Sequence, residues 1–229
     1  MPVNDPSNAL TPSEVIFLNA DRFKSEPGLT QVRATRPRAA TYSILDTKVT
    51  VSRFALAPLV LAAALLAVEA AGNVHLEVRP RKLYLGLHTR RCLYADPGPE
   101  AGPWPEDTLE SAIQATARRL PGAKGANVVE DIVYGIFHRG SPDPFGRVCD
   151  LVRDGLAGRG LVEANAGDRL VERTVYRYHL LQDTADAAAD RLGEARALLA
   201  GCQDKRPEVW SSLIREVSRG LFRRSTGER

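Results

Sequence analysis

The stretch SRFALAPLVLAAALLAVEAAGNVHLE, residues 52–77, is the most apolar part of the chain, and its structure decides the fold class. Its uncharged run extends from Phe54 to Val68, which is 15 residues, and is closed by Arg53 and Glu69. At about 1.5 Å of rise per residue, a helix of that length reaches roughly 22 Å, short of a hydrocarbon core of about 30 Å. We therefore predict a helix buried on all sides within a soluble domain, rather than a membrane span.

The segments around this stretch carry mostly helical signals. Thr11, Pro12 and Glu14 supply a cap, a proline suited to the first helical position and the carboxylate of a capping box, so a helix is expected to begin there. Apolar residues recur at helical spacing in four later segments, at 109–120, 128–137, 148–156 and 210–221. These patterns predict a mainly α protein.

Short strands interrupt the helices. Alternating residues at 73–78 and 82–88 predict a strand pair, and a proline- and glycine-rich loop is expected from Ala95 to Pro105. The segment 160–172 predicts a β-hairpin that turns at Asn165–Asp168. After a further strand, one alanine-rich helix is expected, capped by Asp183 or Thr184 and closed by Gly201.

The chain is 229 residues long and can bury a sizeable core. We predict one helical domain over 11–224, with short strands and a β-hairpin, and disordered ends at 1–10 and 225–229. Three widely spaced cysteines without a C-x-x-C motif indicate free thiols in a reducing cytosol. We therefore expect a cytoplasmic protein.

Catalytic motifs are missing from the sequence. It contains no G-x-S-x-G, H-E-x-x-H or G-x-G-x-x-G, and its four histidines fall in four different predicted elements. No catalytic residue, metal ligand or cofactor is therefore expected, and the chain is predicted not to be an enzyme.

Basic residues are unevenly distributed along the chain, although the net charge is only +3. Between Arg22 and Arg53 there are seven basic and two acidic residues, and between Val78 and Tyr94 there are five basic and no acidic residues. Clusters of this kind attract phosphate, nucleic acid or anionic lipid.

The order of the elements resembles the Golgi phosphoprotein 3 family, including its shorter bacterial relatives. The resemblance covers about Leu10 to Ala200 and rests on an ordered set of phrases: LTPSEVIFLNAD, AGNVHLE after the apolar helix, EDTLESAIQATARRL, VCDLVRDGLAGRGLVE before the hairpin, and RTVYRYHLLQDTADAAADRLGEARALLAG after it. The resemblance implies a mainly helical domain that binds phosphatidylinositol 4-phosphate at a membrane surface.

In that family an arginine on the apolar helix and two arginines on the helix before the hairpin bind the headgroup. The matching positions here are Leu61, Gly146 and Cys149. Arg53, Arg147 and Arg153 lie nearby in the sequence, and we take these three arginines as the candidate headgroup-binding residues. The resemblance thus predicts a non-catalytic protein, peripheral at the membrane, whose partner is an anionic phospholipid headgroup.

Other partners and a second function class stay open at this point. An unidentified protein partner is compatible with the sequence, and the hairpin is a candidate contact for a homo-oligomer. The helix–helix–hairpin order from Val128 to Val171 is also that of a winged-helix DNA-binding regulator. Nucleic acid is not the expected partner, because Asp150 and Asp154 on the second helix would repel phosphate.

Overall fold

The computed structural model describes residues 9–23, 41–45, 47, 49–83, 88–99, 102–120, 127–137, 142–170 and 173–223, without the side chains of 83, 167–170 and 173–176. Most of the predicted disordered ends, 1–8 and 225–229, lies outside the described residues. Leu10, however, was assigned to the disordered N-terminus and is instead buried at 4% exposure. Its apolar side chain joins the main core.

Helices dominate the described part of the chain, so the mainly α prediction is confirmed. Eight α-helices are described: α1 Pro12–Leu18, α2 Arg53–Ala70, α3 Leu109–Arg119, α4 Val129–Phe137, α5 Pro144–Gly158, α6 Gln182–Asp190, α7 Leu192–Lys205 and α8 Pro207–Phe222. A short 3-10 helix, Ala20–Phe23, follows α1.

The strands form three separate antiparallel pairs. The first joins β1 Thr41–Ser43 to β2 Thr50–Ser52, the second joins β3 Val74–Leu83 to β4 His88–Pro97, and the third joins β5 Val162–Leu170 to β6 Arg173–Leu180. Each pair is two strands wide and therefore needs the helices beside it for stability.

The apolar helix α2 is the centre of the core. All 13 residues from Leu56 to Val68 are buried, and α1, α3, α5, α7 and α8 pack around them. The prediction of a helix buried on all sides is confirmed for this segment. The whole helix is 18 residues long and could span a membrane by length and composition alone, but 72% of it is buried inside the protein.

The predicted capping box at the start of α1 is confirmed, and other helix ends are capped as well. The backbone N–H of Thr11 donates to Glu14 at 2.8 Å, completing the predicted capping box of α1. Gly72, after α2, has a φ of 75°, the left-handed conformation that glycine adopts most readily. Asp143 caps α5 by accepting a hydrogen bond from the backbone of Gly146 at 3.1 Å.

The hairpin turn was predicted wrongly. Asn165–Asp168 does not form the turn but lies inside β5, which continues to Leu170. The pairing steps from Ala166 opposite Tyr176 to Arg169 opposite Thr174, so β5 carries one extra residue in a β-bulge. A bulge and a turn favour the same residue types, which explains the error.

Two other boundaries also differ from the prediction. The strands predicted at 73–78 and 82–88 do not pair with each other, because 74–83 is one continuous strand and its partner extends to Pro97, into the predicted loop. The single alanine-rich helix is two helices that meet at Arg191, and neither Asp183 nor Thr184 caps the first. Gly201 does not end the second, since α7 continues to Lys205.

Candidate functional site

The three predicted headgroup arginines all lie beside one side of α5. At about 100° per residue, positions 143, 146, 147, 150, 153 and 154 fall within an arc of roughly 120°. Arg147 and Arg153 belong to this arc. Arg53 is the first residue of α2 and contacts the arc through an ion pair with Asp143. The structure therefore brings the predicted residues to a common surface.

Arg53 is held at the N-terminus of α5. Its guanidinium forms an ion pair with Asp143 and lies 5.6 Å from the ring centre of Phe54. The two residues are 27% and 38% exposed at their side chains. Gly146 allows this approach, because a Cβ atom there would meet the Asp143 carboxylate at 2.3 Å. Arg53 is thus engaged by an aspartate that also caps the helix.

Arg153 is engaged on several sides. Its guanidinium pairs with Asp150 and Asp154 at 3.0 Å each, donates to the Tyr42 hydroxyl at 3.2 Å and lies 4.4 Å from the ring centre of Tyr178. Burial and the neighbouring Asp150 raise the pKa of Tyr42, so its phenol stays protonated. This cluster connects β1, α5 and β6 and leaves Arg153 only 24% exposed.

Arg147 differs from the other two arginines. Its side chain is exposed, and no carboxylate among the described residues pairs with it. The three arginines together with Asp143, Asp150 and Asp154 therefore carry no net charge. Binding a phosphate in a family-type pocket would require Arg53 and Arg153 to give up their present partners.

The positions that the family resemblance marks for headgroup arginines face the interior. Leu61 and Cys149 are each 0% exposed, and Gly146 is buried beside Arg53. Burial raises the pKa of the Cys149 thiol to about 12, so the sulfur is protonated at neutral pH.

A second feature at this end of the molecule was missed in the sequence. Phe54, Phe145 and Phe222 form an aromatic cluster, with ring centres 4.7 Å apart for Phe54 and Phe145 and 4.8 Å apart for Phe145 and Phe222. Phe222 is 53% exposed, although it is a large apolar residue. The cluster joins the start of α2, the start of α5 and the end of α8.

The outward side of α8 is basic. Arg215, Arg219 and Phe222 recur at spacings of four and three residues, opposite the buried Leu213, Val217 and Leu221, and Arg223 follows directly. The sequence shows this basic stretch, with five basic residues from Arg215 to Arg229 against Glu216 and Glu228. We call the surface made by Arg215, Arg219, Phe222 and Arg223 the Phe222 face.

The arginines of the Phe222 face and their neighbours outnumber the carboxylates that pair with them. Glu216 is buried at 0% exposure and is surrounded by Arg90, Arg215 and Arg219 at 3.1, 3.4 and 3.3 Å. Five arginines and three carboxylates form the whole network, which leaves a surplus of two positive charges: Arg81, Arg90, Arg215, Arg219 and Arg223 against Glu130, Asp131 and Glu216. The outer three arginines are 40–45% exposed.

No group of three or more histidine, cysteine, aspartate or glutamate side chains is arranged as metal ligands in the described parts of the chain. Comparison with protein-family models, curated proteins and solved structures finds no match to this chain.

Proposed function

We propose that this protein is a non-catalytic, peripheral binder of anionic phospholipid surfaces, and that it docks through the Phe222 face. The observation that carries the proposal is the exposed ring of Phe222, set in an aromatic cluster and bordered by arginines with a surplus of positive charge. It would associate reversibly with a membrane from the cytoplasm, as the family resemblance implies.

Each part of the face has a role at a bilayer. An aromatic ring is stable at the level of the headgroups, where one side meets acyl chains and the other meets water. A basic residue near an anionic bilayer contributes about 1 kcal/mol, and the attraction fades beyond a Debye length of about 8 Å at physiological salt. Three arginines and one ring therefore support modest, salt-sensitive binding.

Recognition should depend on lipid charge more than on headgroup identity. A selective pocket requires cations in fixed geometry with free donors. The guanidinium groups of Arg53 and Arg153 pair with Asp143, Asp150 and Asp154, so these two cations already have carboxylate partners. Phosphatidylinositol 4-phosphate, which the resemblance suggests, is the first headgroup to compare with a simpler anionic lipid.

The winged-helix alternative finds little support in the charges of α5. A recognition helix must approach phosphates closely, and the outward arc of α5 carries Asp150 and Asp154 at 35% and 50% exposure. Only Arg147 on this arc is a cation without a described partner carboxylate.

Vesicle co-sedimentation tests the proposal. We expect the wild type to bind phosphatidylcholine vesicles that contain phosphatidylserine, and binding to fall steeply with added salt. The pair Arg219→Gln and Phe222→Ser should weaken binding at least about tenfold, because it removes the exposed ring and one positive charge of the face. Lys205→Glu is the matched control, since Lys205 is exposed and precedes α8 at its opposite end, about 22 Å from Phe222.

The outcomes separate the candidate functions. Equal losses in the double variant and in Lys205→Glu would overturn docking through the Phe222 face. A strong preference for phosphatidylinositol 4-phosphate over charge-matched phosphatidylserine, lost in Arg147→Ala with Arg153→Ala, would show a headgroup pocket instead. Tighter retention on duplex DNA than on anionic vesicles at equal salt would favour the DNA-binding alternative.

A further inference from the structure

A cavity of about 310 Å³ lies at the far end of α2 from the Phe222 face. It opens where α1, α2 and α7 meet, and small side chains such as Ala67, Ala70 and Ala195 leave the space between the helices. Val15 and the ring of Trp104 complete an apolar wall. The separation from Arg53 along α2 is about 25 Å, so this cavity is independent of the proposed membrane surface.

The wall formed by Trp104 is fixed. Its indole N–H donates to the side-chain oxygen of Asn73 at 2.9 Å, and Asn73 is 1% exposed. The backbone carbonyl of Asn73 accepts a hydrogen bond from the backbone N–H of Gly98 at 2.8 Å. A wall held by buried hydrogen bonds does not need to be ordered when a ligand binds, which lowers the entropic cost of binding.

One cation stands at the rim. Arg191 donates to the backbone carbonyl of Leu10, which anchors its guanidinium beside the opening. Its carboxylate neighbour Glu194 lies 3.4 Å away and is 74% exposed, so this ion pair is weak and easily displaced. The cavity therefore combines an apolar interior with a positively charged group at its mouth.

We propose that this cavity binds a single-chain amphiphile with a carboxylate head, such as a medium-chain fatty acid. The apolar chain packs between Ala67, Ala195 and Trp104, and the carboxylate replaces Glu194 as the partner of Arg191. The volume is about twice that of an apolar cavity known to take benzene, which suits a chain of about eight to ten carbons. Pockets lined mainly by apolar side chains, with a few polar groups at defined positions, are typical of small-ligand binding.

Fluorescence provides a direct test, because the chain has two tryptophans. In a Trp210→Phe protein, Trp104 is the single reporter. We expect decanoate, added below the concentration at which it forms micelles, to change the Trp104 emission saturably. Decanol, which has the same chain without the charge, should bind about tenfold more weakly.

Two variants in the Trp210→Phe background make the result specific. Ala70→Leu narrows the exposed opening and should raise the dissociation constant of decanoate at least about tenfold. Arg191→Gln should remove the preference for decanoate over decanol while leaving decanol binding unchanged. An unsaturable signal, or equal decanoate affinity in the Trp210→Phe parent and in its Ala70→Leu derivative, would overturn the proposal; far-UV circular dichroism establishes that each variant is folded.

Discussion

Arg206 binds Glu69 through two parallel hydrogen bonds, 2.9 Å from Nη1 to Oε1 and 2.8 Å from Nη2 to Oε2. Arg206 is the residue between α7 and α8, and Glu69 is in the last turn of the core helix α2. Glu69 also accepts the backbone N–H of Leu76 at 3.1 Å, at the start of β3. One carboxylate thus fixes the end of α2 against the α7–α8 corner and the first long strand.

Replacing Arg206 with alanine should lower the free energy of unfolding by about 1–3 kcal/mol, because it removes a bidentate pair and leaves the Glu69 carboxylate, which is 15% exposed, without its cation. Arg206→Lys should recover only part of the loss, since lysine lacks the planar fork. Chemical denaturation measures both values. Arg91→Ala is the control: its pair with Glu208 is 64% and 55% exposed, so a change above about 1 kcal/mol there would contradict the reasoning.

Stability should fall as pH rises from about 4.5 to about 7. Burial and the nearby Glu14 raise the pKa of Glu110 from 4.5 to about 7, so the unfolded chain releases this proton at lower pH than the folded protein does. Over that window the loss is on the order of 3 kcal/mol, after which the Glu110 contribution levels off. Denaturant unfolding at pH 5 and pH 8 measures the change.

Glu110→Gln is the matched variant for this pH dependence. It keeps the shape of the side chain and its contact with Ser13, which reaches the Glu110 carboxylate through its backbone N–H at 3.1 Å and its hydroxyl at 3.0 Å. Burial also raises the pKa of Glu14, against the opposing charge of Arg159, so a smaller slope should persist in the variant. An unchanged slope would show that Glu110 does not titrate in this range.

Gly220→Ala should destabilise the protein by about 1–3 kcal/mol. The Cβ atom would lie 2.7 Å from Val133 Cβ and 2.9 Å from the Glu130 carbonyl, so α8 would have to move away from α4. Gly201→Ala, in the neighbouring helix, meets nothing within 4 Å and should instead stabilise by up to about 1 kcal/mol through helix propensity. Thermal unfolding of the two variants in parallel should give shifts of opposite sign.

The three thiols should be unreactive in the folded protein. Cys92, Cys149 and Cys202 are all free and buried, and burial raises the pKa of Cys149 to about 12 and also raises that of Cys202. In the native protein at pH 8, we expect a disulfide reagent to modify the thiols only as fast as unfolding exposes them. In denaturant, all three thiols should react together. Rapid modification of one thiol under native conditions would contradict the described packing.

The core helix could be predicted from the sequence because burial on all sides requires a continuous apolar run, which is visible in one dimension. The arginines near α5 could also be predicted as neighbours, and the spacing of Asp150 and Arg153 is that of a helical ion pair. The pairing of Arg53 with Asp143 could not, because it joins residues ninety positions apart. That contact gives Arg53 a carboxylate partner in the folded protein.

The remaining errors have related causes. The hairpin turn was misplaced because a bulge between Ala166 and Arg169 uses the same glycine-rich composition as a turn. Phe222 was missed because its role depends on Phe54 and Phe145, which are distant in the sequence. Helical spacing shows which side of α8 a residue is on, but it does not show which residues from other helices lie there.

The core helix α2 is also synthesised before most of the helices that bury it. Its 13 buried residues, Leu56–Val68, leave the ribosome well before α5, α7 and α8, which cover much of them and end at residue 222. For the time needed to translate about 150 further residues, roughly 10–30 seconds at 5–20 residues per second, a segment apolar enough to enter a bilayer has only α1 and its nearest neighbours against it. The core of this fold is therefore completed only when the last helix, α8, has been translated.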